Sequence, residues 1–478
     1  MEFALSKHGR VLIGDEMGTG KTIQAIAIAY CYREEWPLLI ICPSSLKYMW
    51  REELIKWLPS IPHIEIITNK KYIYKDTAQI FIMSYSCAKD LLPLWQKDWK
   101  VIISDESHFI KNRDAKRTKV LVPILIKAKR AIMLSGTPML GRPMDIYNCI
   151  HALRPDIFRT FREFGHRYCD PKRGTYGIDW KGSSNTEELR LILNATLFIR
   201  RLKEEVLTEL PRKQKQEIII EADEKQEKKI RKVLSKFTAK EIHEAFIEDT
   251  PNTEEIRRSL MTAYKLTGKA KLNASIEFLR NLIENERKFL FYAQHIEVLD
   301  GVEEVLKEQQ IDYIRIDGNI PIIKRNEFIN TFQQTPSYKA ALLSLTAANY
   351  GITLTAANTV VFGEYNWTPG IMDQAEERVH RVGQVNAVNV YYLHAENTLD
   401  NMIRGIIREK KKIITEVMDN KKEYKEFQFI TRNIEPKAGY IRSVSKLRET
   451  KIESTIKPKS VGKEMHFNSE EDENIEVK

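Results

Sequence analysis

The stretch Gly14-Asp15-Glu16-Met17-Gly18-Thr19-Gly20-Lys21-Thr22 decides how this chain is expected to fold. Apolar residues 11–13 precede it and an apolar helical pattern follows over residues 23–30, so the pattern predicts a strand, a glycine-rich loop and a helix. In such a unit the loop N–H groups and the helix N-terminus face the phosphates of a nucleotide. Lys21 supplies a point charge and the Thr22 hydroxyl can ligate Mg²⁺, so the sequence predicts a nucleotide phosphate site.

Two adjacent carboxylates, in the segment Asp105-Glu106-Ser107-His108, end a second apolar strand predicted over residues 101–104. One carboxylate can hold a metal ion through water, and the other can orient and deprotonate an attacking water molecule. We therefore expect Asp105, together with Thr22, to hold Mg²⁺ and Glu106 to act as the base. Because charged residues often cap a strand, this segment indicates an NTPase only in combination with the phosphate loop.

Two further segments place polar side chains where predicted elements end. Leu134-Ser135-Gly136-Thr137-Pro138 closes a strand and on its own is typical of a turn. Gln374-Ala375-Glu376-Glu377-Arg378-Val379-His380-Arg381-Val382-Gly383-Gln384 holds two arginines three residues apart, which share a face if the segment is helical. A guanidinium is always charged and forks onto phosphate oxygens, so Arg378 and Arg381 are expected to contact the transferred phosphoryl group. A solvated basic face is the alternative.

The size and charge of the chain fit a protein of several domains with a polyanionic partner. Its 478 residues are 42% hydrophobic and 30% charged, which suits roughly three soluble domains. The formal net charge is +10, and residues 421–478, with 13 Lys and Arg against 11 Asp and Glu, hold little of it. A basic folded body favours nucleic acid as the partner, and a generally lysine-rich composition is the alternative.

Cysteine usage and hydropathy argue against several classes of protein. Five scattered cysteines without a Cys-x-x-Cys pair indicate reduced thiols inside a cell and argue against a structural zinc site. The N-terminus lacks the basic flank and apolar core of a signal peptide. The longest uncharged run, residues 340–363, is rich in Ser, Thr, Asn and Gly, so we expect no membrane span.

Apolar runs alternate with amphipathic stretches in two parts of the chain, which is the pattern of doubly wound parallel sheets. Strands are predicted at residues 11–13, 38–42, 80–83, 101–104 and 131–134, and again at 289–292, 312–316, 340–345, 359–363 and 389–393. Helices are predicted at 45–57, 297–307 and 324–332, a loop at 170–185, and one last helix ending near residue 422. The sequence thus predicts an α/β fold with lobes at residues 1–138 and 263–418, a helical insertion and connection at 139–262, and a mostly disordered charged tail at 419–478.

The order of these segments closely resembles that of the Swi/Snf-type, superfamily-two helicase-like DNA translocases over most of the chain. Besides the phosphate loop, the paired carboxylates, residues 134–138 and the arginine segment, the matching pieces are Ile41-Cys42-Pro43-Ser44-Ser45-Leu46 with Trp50 and Trp57 beyond it, Arg200-Arg201-Leu202-Lys203 through Leu210-Pro211-Arg212-Lys213, Arg315-Ile316-Asp317-Gly318 and Trp367-Thr368-Pro369-Gly370. Within that family, Asp105-Glu106-Ser107-His108, Gly351-Ile352-Thr353-Leu354-Thr355-Ala356-Ala357 and residues 164–185 are similar to the annealing-helicase subgroup, which is HARP-like and remodels forks.

The resemblance implies two RecA-like lobes that bind ATP between them and move along a DNA duplex as the cleft opens and closes. The residues expected at the nucleotide are Asp15, Glu16, Met17, Gly18, Thr19, Gly20, Lys21, Thr22, Asp105 and Gln374, with Glu106, Arg378 and Arg381 as catalytic residues. Coupling and DNA contact are assigned to Pro43, Ser44, His108, Ser135, Thr137, Gly351, Thr353 and Trp367. For Arg200, Arg201 and Lys203, a plain solvated hinge stays an equal alternative to a family role.

The N-terminus departs from the family pattern. Relatives carry, shortly before the first strand, a Gln that binds adenine and a neighbouring Phe, which here would precede Met1. The chain is either shortened at its N-terminus or lacks that adenine contact. Residues 2–5 read as the interior of an uncapped helix, which favours the first explanation. We therefore expect weak ATP hydrolysis with relaxed base selectivity.

These patterns predict an ATP-dependent translocase on double-stranded DNA that remodels or anneals branched DNA such as stalled replication forks. A nucleosome-remodelling motor and a catalytically silent DNA-binding scaffold are the alternatives. The expected cofactors are ATP and Mg²⁺, and the expected partners are duplex or forked DNA and, through the tail, replication or repair proteins. The resemblance implies a nuclear protein, or a cytoplasmic or nucleoid protein if the source is bacterial or viral.

Overall fold

Two seven-stranded parallel sheets organise the chain. The computed structural model describes residues 1–61, 63–67, 78–90, 97–174, 177–238, 241, 254–285, 287–346, 352–419 and 432–433. Within these residues, no helix is long and apolar enough to cross a membrane. The α/β fold with two parallel-sheet lobes, predicted from the alternation of strands and helices, is confirmed, as are the RecA-like lobes that the family resemblance implies.

The first sheet has the strand order β3-β4-β2-β5-β6-β1-β9. Its strands are β1 (Arg10–Ile13), β2 (Leu38–Cys42), β3 (Ile64–Ile66), β4 (Ile80–Ser84), β5 (Val101–Ser104) and β6 (Arg130–Leu134), followed, after an antiparallel hairpin of β7 (Lys172–Gly174) and β8 (Gly177–Asp179), by β9 (Phe198–Ile199). Every residue of β2 is buried, as expected of a parallel strand that is covered on both faces. Because the neighbours are parallel, the carboxyl ends of β1, β5 and β6 lie at one edge of the sheet, where the predicted motifs begin.

Helices cover both faces of this sheet. They are α1 (Glu2–Ser6), α2 (Lys21–Tyr30), α3 (Lys47–Trp57), α4 (Lys116–Lys127), α5 (Tyr147–Leu153), α6 (Phe161–Tyr168) and α7 (Thr186–Thr196). Side chains alternate between two cores, so that Val11 and Ile13 pack on one face of β1 and Leu12 packs on the other. This double burial fixes the position of β1 and therefore of the phosphate loop that follows it.

The second sheet has the order β12-β13-β11-β14-β15-β10-β16. Its strands are β10 (Lys213–Ile220), β11 (Phe289–Ala293), β12 (Tyr313–Ile316), β13 (Ala340–Ser344), β14 (Thr359–Phe362), β15 (Val388–Ala395) and β16 (Arg432–Asn433). The chain segment around residue 200, which follows β9, is the connector between the two sheets. The helices from there onward are α8 (Lys203–Val206), α9 (Glu224–Leu234), α10 (Glu254–Glu284), α11 (Ile296–Glu308), α12 (Ile322–Gln334), α13 (Pro369–Glu376) and α14 (Asp400–Met418). Helix α13 leads into the arginine segment, so the second lobe supplies the predicted arginines.

The last helix, α14, belongs to both lobes. Its first turns place Ile403 in the core of the second lobe, and its end places Val417 and Met418 in a core of the first lobe. Asp419, the residue after the helix, accepts a hydrogen bond at 2.6 Å from Nε of Arg200 in the connector. The two sheets are therefore linked by two separate chain segments, the connector around residue 200 and α14.

The predicted strands end within two residues of the observed ones. The predicted helix at residues 45–57 begins with a 3₁₀ turn, Ser44–Leu46, before α3. The expected loop at 170–185 contains the β7–β8 hairpin, and the segment 139–262, expected to be mostly helical, contributes β9 to one sheet and β10 to the other. The last helix ends at Met418 rather than near residue 422. The expected disorder of the tail falls on residues that, apart from Asp419 and the strand Arg432–Asn433, lie outside the described part of the chain.

Candidate nucleotide site and its contacts between the lobes

The phosphate loop, residues 14–20, joins the end of β1 to the start of α2. Gly18 and Gly20 have φ angles of 82° and 81°, a left-handed backbone that favours glycine. Gly20 directly precedes α2, so the unpaired N–H groups of the first helical turn, including that of Thr22, are presented at the loop. The Thr19 hydroxyl donates to the carbonyl oxygen of Glu16 at 2.8 Å and closes the turn. The loop has the backbone form of an anion cradle.

Lys21 is the first residue of α2, and its side chain turns back over the loop. Its ammonium group donates to the carbonyl oxygens of Asp15 at 2.8 Å and Glu16 at 3.1 Å. Burial lowers the pKa of Lys21, while the carboxylates of Glu106 and Asp105 act in the opposite direction. A phosphate group can replace the two carbonyl oxygens because a charged oxygen is the stronger acceptor.

The side chain of Asp15 binds the connector between the lobes. The residue is fully buried. Its carboxylate accepts from the backbone N–H of Arg201 at 3.0 Å and from Nε2 of Gln24 at 3.1 Å, and it pairs with the Arg201 guanidinium. Sequence reasoning assigned Asp15 to the nucleotide. In the structure its carboxylate ties the phosphate loop to the connector, and its carbonyl oxygen contacts Lys21, while its assignment to the nucleotide stays a prediction.

The paired carboxylates follow β5 and differ in environment. Oδ2 of Asp105 accepts from the indole N–H of Trp50 at 2.9 Å, and Oδ1 accepts from the backbone N–H of Glu106 at 2.9 Å. Burial, and then the neighbouring Glu106, raises the pKa of Asp105 to about 6. Burial opposes the ionisation of Glu106, but hydrogen bonding to His108 and the charge of Lys21 lower its pKa on balance. These surroundings keep Glu106 ionised, as a general base must be.

The oxygen donors of the site fit a magnesium ion. Thr22 offers a hydroxyl oxygen and Asp105 a carboxylate, and both are the hard ligands that Mg²⁺ prefers. The ion keeps several waters and takes other ligands from substrate phosphates, so it needs few protein groups. No group of three or more His, Cys, Asp or Glu side chains that could hold a metal occurs among the residues that the structure describes. The donor set therefore suits an ion that arrives with a nucleotide.

A series of polar contacts runs from Glu106 to the second lobe. Nδ1 of His108 lies 3.2 Å from Oε2 of Glu106 and 3.2 Å from Oγ of Ser135. Oγ of Ser135 accepts from the backbone N–H of Thr137 at 3.2 Å. Nε2 of Gln374, in α13, lies 3.5 Å from the Thr137 hydroxyl. The structure thus brings together five residues from three separate segments of the sequence, and it links the candidate base to the helix that precedes the arginines.

Arg378 and Arg381 lie beyond the end of α13 and not on it. The helix ends at Glu376, and residues 377–381 form a succession of turns in which the N–H of Arg378 donates to Ala375 at 3.3 Å. The condition under which the two arginines would share a helix face, a helical segment, is therefore not met. Both are partly buried, and burial lowers the pKa of each guanidinium. Arg381 lies against the phosphate loop, since a Cβ atom on Gly18 would come within 3.5 Å of its Cβ.

The connector residues are partly buried and bonded, which excludes the plain solvated hinge. Arg200 donates to the carbonyl oxygens of Gly14 at 2.7 Å and Gly136 at 3.3 Å. Lys203 is 4% exposed, and its ammonium group contacts Glu377 and the carbonyl oxygen of His380. A cavity of about 710 Å³ lies beside these groups and is lined by residues of both lobes, among them Glu16, Met17, Thr137, Lys203, Asp373 and Glu377.

Sequence reasoning missed the lysines that hold the arginine segment. Lys213 and Lys215, at the start of β10, bind Glu377 at 2.7 Å and Glu376 at 2.7 Å respectively. Both glutamates are buried, so the ammonium groups supply the partners that buried carboxylates need. The signal was present as two adjacent acidic residues in a segment predicted to face a nucleotide, but the sequence could not show which lysines meet them.

The residues assigned to DNA contact lie on both lobes. Pro43 and Ser44 follow β2 in the first lobe, and the exposed Ser44 has its hydroxyl 3.3 Å from that of Ser86. Thr353 lies between β13 and β14 of the second lobe. The ring of Trp367 packs edge-on against Tyr264, with centroids 5.2 Å apart. Gly351, also assigned to DNA, lies outside the described residues.

Comparison with protein families decides where the chain belongs. Residues 4–276, more than half of the chain, match the model of the SNF2-related domain. The chain belongs to the SNF2-related family. Residues 270–383 of this SNF2-related protein match the helicase conserved C-terminal domain, which agrees with a second lobe that carries the arginine segment.

Two curated proteins show how far the similarity extends. The chain is 42% identical over 421 residues to the SWI/SNF-related matrix-associated actin-dependent regulator of chromatin subfamily A-like protein 1 of Xenopus tropicalis, covering 87% of this chain and 44% of that protein. It is 40% identical over 442 residues to the DNA annealing helicase and endonuclease ZRANB3 of Homo sapiens, covering 88% of this chain and 40% of that protein. The chain thus spans less than half the length of these relatives.

Among solved structures, the fold is similar to the SWI2/SNF2 ATPase core of Sulfolobus solfataricus in complex with dsDNA. The TM-score is 0.42 with 24% sequence identity, over 87% of this chain and 90% of that chain.

Proposed function

We propose that this SNF2-related protein is a DNA-dependent ATPase that binds ATP and Mg²⁺ against the phosphate loop and closes the second lobe onto them. The observation that carries the proposal is the series of contacts from Glu106 through His108 and Ser135 to Thr137 and Gln374. An arrangement that joins a partly buried, ionised carboxylate to the lobe bearing two arginines suits a reaction that is coupled to lobe movement.

The roles of the residues in this proposal follow from their surroundings. Lys21 exchanges its carbonyl partners for the β- and γ-phosphates, and Thr22 and Asp105 hold Mg²⁺. The bound Mg²⁺ would neutralise charge on the phosphate oxygens. Glu106 accepts a proton from the attacking water, and Arg378 and Arg381 stabilise the charge on the transferred phosphoryl group.

We further propose that hydrolysis drives translocation on double-stranded DNA and the remodelling or annealing of branched DNA such as a stalled fork. The support is the similarity over 88% of this chain to a protein named as a DNA annealing helicase and endonuclease. Phosphate contacts by residues such as Ser44, Thr353 and Trp367 would position the motor on the duplex without reading its sequence. Binding should then weaken steeply as salt is raised.

Two organisational proposals complete this function. We divide the chain into a first lobe at residues 1–138, a connecting insertion at 139–262, a second lobe at 263–418 and a tail at 419–478, in which the insertion supplies β9 and β10. We place the protein in the nucleus, in agreement with the resemblance to fork-remodelling enzymes, and assign contacts with replication or repair proteins to the tail.

The test is ATP hydrolysis by the purified chain without nucleic acid and with single-stranded DNA, duplex DNA, fork DNA, nucleosomes or RNA. We expect stimulation by duplex and fork DNA, the larger with forks. Glu106→Gln should bind ATP and hydrolyse none, because the attacking water loses its base. Normal turnover by Glu106→Gln would show that Glu106 is not the general base. Stimulation by nucleosomes beyond naked DNA would favour a remodelling motor, and hydrolysis in none of the mixtures would favour a silent scaffold.

A further inference from the structure

Lys203 joins three parts of the molecule that come from distant positions in the sequence. It is the first residue of α8, in the connector, and is 4% exposed. Its backbone N–H donates to Oε2 of Glu16 in the phosphate loop at 2.8 Å. Its ammonium group contacts the side chain of Glu377 and the carbonyl oxygen of His380, on either side of Arg378. One residue thus binds the loop with its main chain and the arginine segment with its side chain.

The stem of Lys203 also packs beside Arg381 on the same glycine. A Cβ atom on Gly18 would lie 3.2 Å from Cε of Lys203 and 3.5 Å from Cβ of Arg381. Gly18 has a φ angle of 82°, so the absence of a side chain is required there by the backbone as well as by its two neighbours. Lys203 and Arg381 therefore share one contact surface on the phosphate loop.

The other lysines of the arginine segment are arranged differently. Lys213 and Lys215 lie on β10, a strand of the second sheet, and bind Glu377 and Glu376 respectively. They hold the segment within the second lobe. Lys203, in contrast, is tied to the first lobe through Glu16 and follows Arg201, whose guanidinium pairs with the buried Asp15.

We propose that Lys203 is a positioning residue that fixes Arg381 relative to the phosphate loop. The inference rests on the proposed ATPase function and adds to it a residue that acts through Arg381. The carbonyl oxygen of His380 directly precedes Arg381, so the hydrogen bond from Nζ of Lys203 to that oxygen holds the peptide from which the arginine side chain leaves. Loss of the donor displaces Arg381 from the transferred phosphoryl group without removing any group that binds ATP.

Steady-state hydrolysis by the full chain tests this with Lys203→Met, Lys203→Arg and the control Lys228→Met. Lys228 lies on α9 in an exposed pair with Glu224. We expect Lys203→Met to lower kcat on the order of 10²-fold, the scale of a misplaced catalytic group, with KM for ATP within about threefold of the wild type. Lys203→Arg, which keeps a charged donor, should recover most of kcat, and Lys228→Met should match the wild type. A kcat unchanged in Lys203→Met, or a loss confined to KM, would overturn the proposal.

A second readout does not depend on turnover. Hydrogen exchange of the backbone amides of residues 378–384 should be faster in Lys203→Met than in the wild type, while exchange in α2 stays the same. Unchanged exchange in residues 378–384 would contradict the positioning role even if kcat falls. If the wild type itself hydrolyses no ATP with any nucleic acid, the proposed function fails, and exchange alone then decides whether Lys203 holds the arginine segment.

Discussion

The indole N–H of Trp50 donates a hydrogen bond of 2.9 Å to Oδ2 of Asp105, and both residues are buried. Trp50 lies in α3, which packs beside the first sheet, whereas Asp105 ends β5. The bond therefore fixes one oxygen of the candidate metal ligand from a helix that carries none of the nucleotide motifs. The buried carboxylate of Asp105 also needs Trp50 as a hydrogen-bond donor.

Trp50→Phe removes the donor and keeps most of the apolar volume. We expect a loss of about 1–3 kcal/mol in the free energy of unfolding, because the buried carboxylate loses a charge-assisted hydrogen bond. The affinity for Mg²⁺ with ATP should fall about 10–100-fold, since a group that orients a metal ligand is lost. Urea unfolding and a magnesium titration of hydrolysis measure the two effects.

The same helix supplies the control for Trp50. Trp57 donates at 2.8 Å to Glu53, and this pair is exposed. Trp57→Phe should change the free energy of unfolding by no more than about 0.5 kcal/mol and leave the magnesium titration as in the wild type. Equal effects of the two substitutions would show that the Trp50 bond has no special role.

Ser135→Ala interrupts the contacts that lead from His108 to Thr137. The substitution removes one oxygen from a fully buried residue and adds no bulk. Hydrolysis without DNA should stay within about threefold of the wild type, whereas the stimulation by duplex DNA should fall about tenfold, because the lobes and the base lose their connection. The measurement is the ratio of the two rates, and a ratio equal to that of the wild type would remove Ser135 from the coupling role.

Arg381→Ala tests the contribution of the second lobe to catalysis. We expect kcat to fall on the order of 10³-fold, the scale for an arginine that stabilises the transferred phosphoryl group. Binding of ATP, measured with a fluorescent analogue, should change little. Arg315→Ala is a matched control, because Arg315 is held by Glu303 at the far end of the second sheet. A comparable loss of kcat in both variants would indicate a general defect of the lobe.

The dependence of stability on pH can be predicted at Glu35. Hydrogen bonding to Arg130 and Lys129 lowers the pKa of Glu35 to about 2 from its usual 4.5, against the effect of burial. A carboxyl with a lowered pKa in the folded state stabilises above its unfolded pKa and loses this contribution as pH falls. Glu35→Gln should therefore reduce the free energy of unfolding by about 1 kcal/mol at pH 7, the scale of a partly exposed pair.

The difference between Glu35→Gln and the wild type should shrink as pH falls from about 4.5 toward 2. Urea unfolding at pH 7, 5 and 3 measures this trend. Glu34→Gln is the control, since Glu34 is exposed and pairs only at the surface with Arg33. A difference that stays constant with pH would exclude the ion pair as the cause.

The strands could be predicted because they are buried on both faces. Residues 38–42 and 101–104 read as uninterrupted apolar runs and form strands with those same limits. In contrast, β9 has two residues, and β10 begins with five consecutive polar residues, from Lys213 to Glu217, before its apolar end. The sequence alone does not identify a strand of two residues or a strand with a polar end. Such a strand is defined by the neighbouring strand with which it pairs.

The site was predictable where chemistry depends on adjacent residues and unpredictable where it depends on distant ones. Lys21 and Glu106 each belong to a short motif, and the neighbouring residues of that motif determine the backbone conformation around them. The pairing of Asp15 with Arg201 joins the phosphate loop of the first lobe to the connector, and nothing near either residue in the sequence indicates the other. The spacing of Arg378 and Arg381 fits a helix and a turn equally well, so it could not show that α13 ends before them.

Helix α14 also sets a scale for movement between the sheets. Its 19 residues span roughly 28 Å, so a tilt of about 10° at its first turn would displace its far end by about 5 Å. That end is anchored by Met418 in the first core and by Asp419 on Arg200, which in turn holds the carbonyl oxygens of Gly14 and Gly136. Wide opening of the lobes therefore requires α14 to bend, or its C-terminal end to separate from the first core and from Arg200.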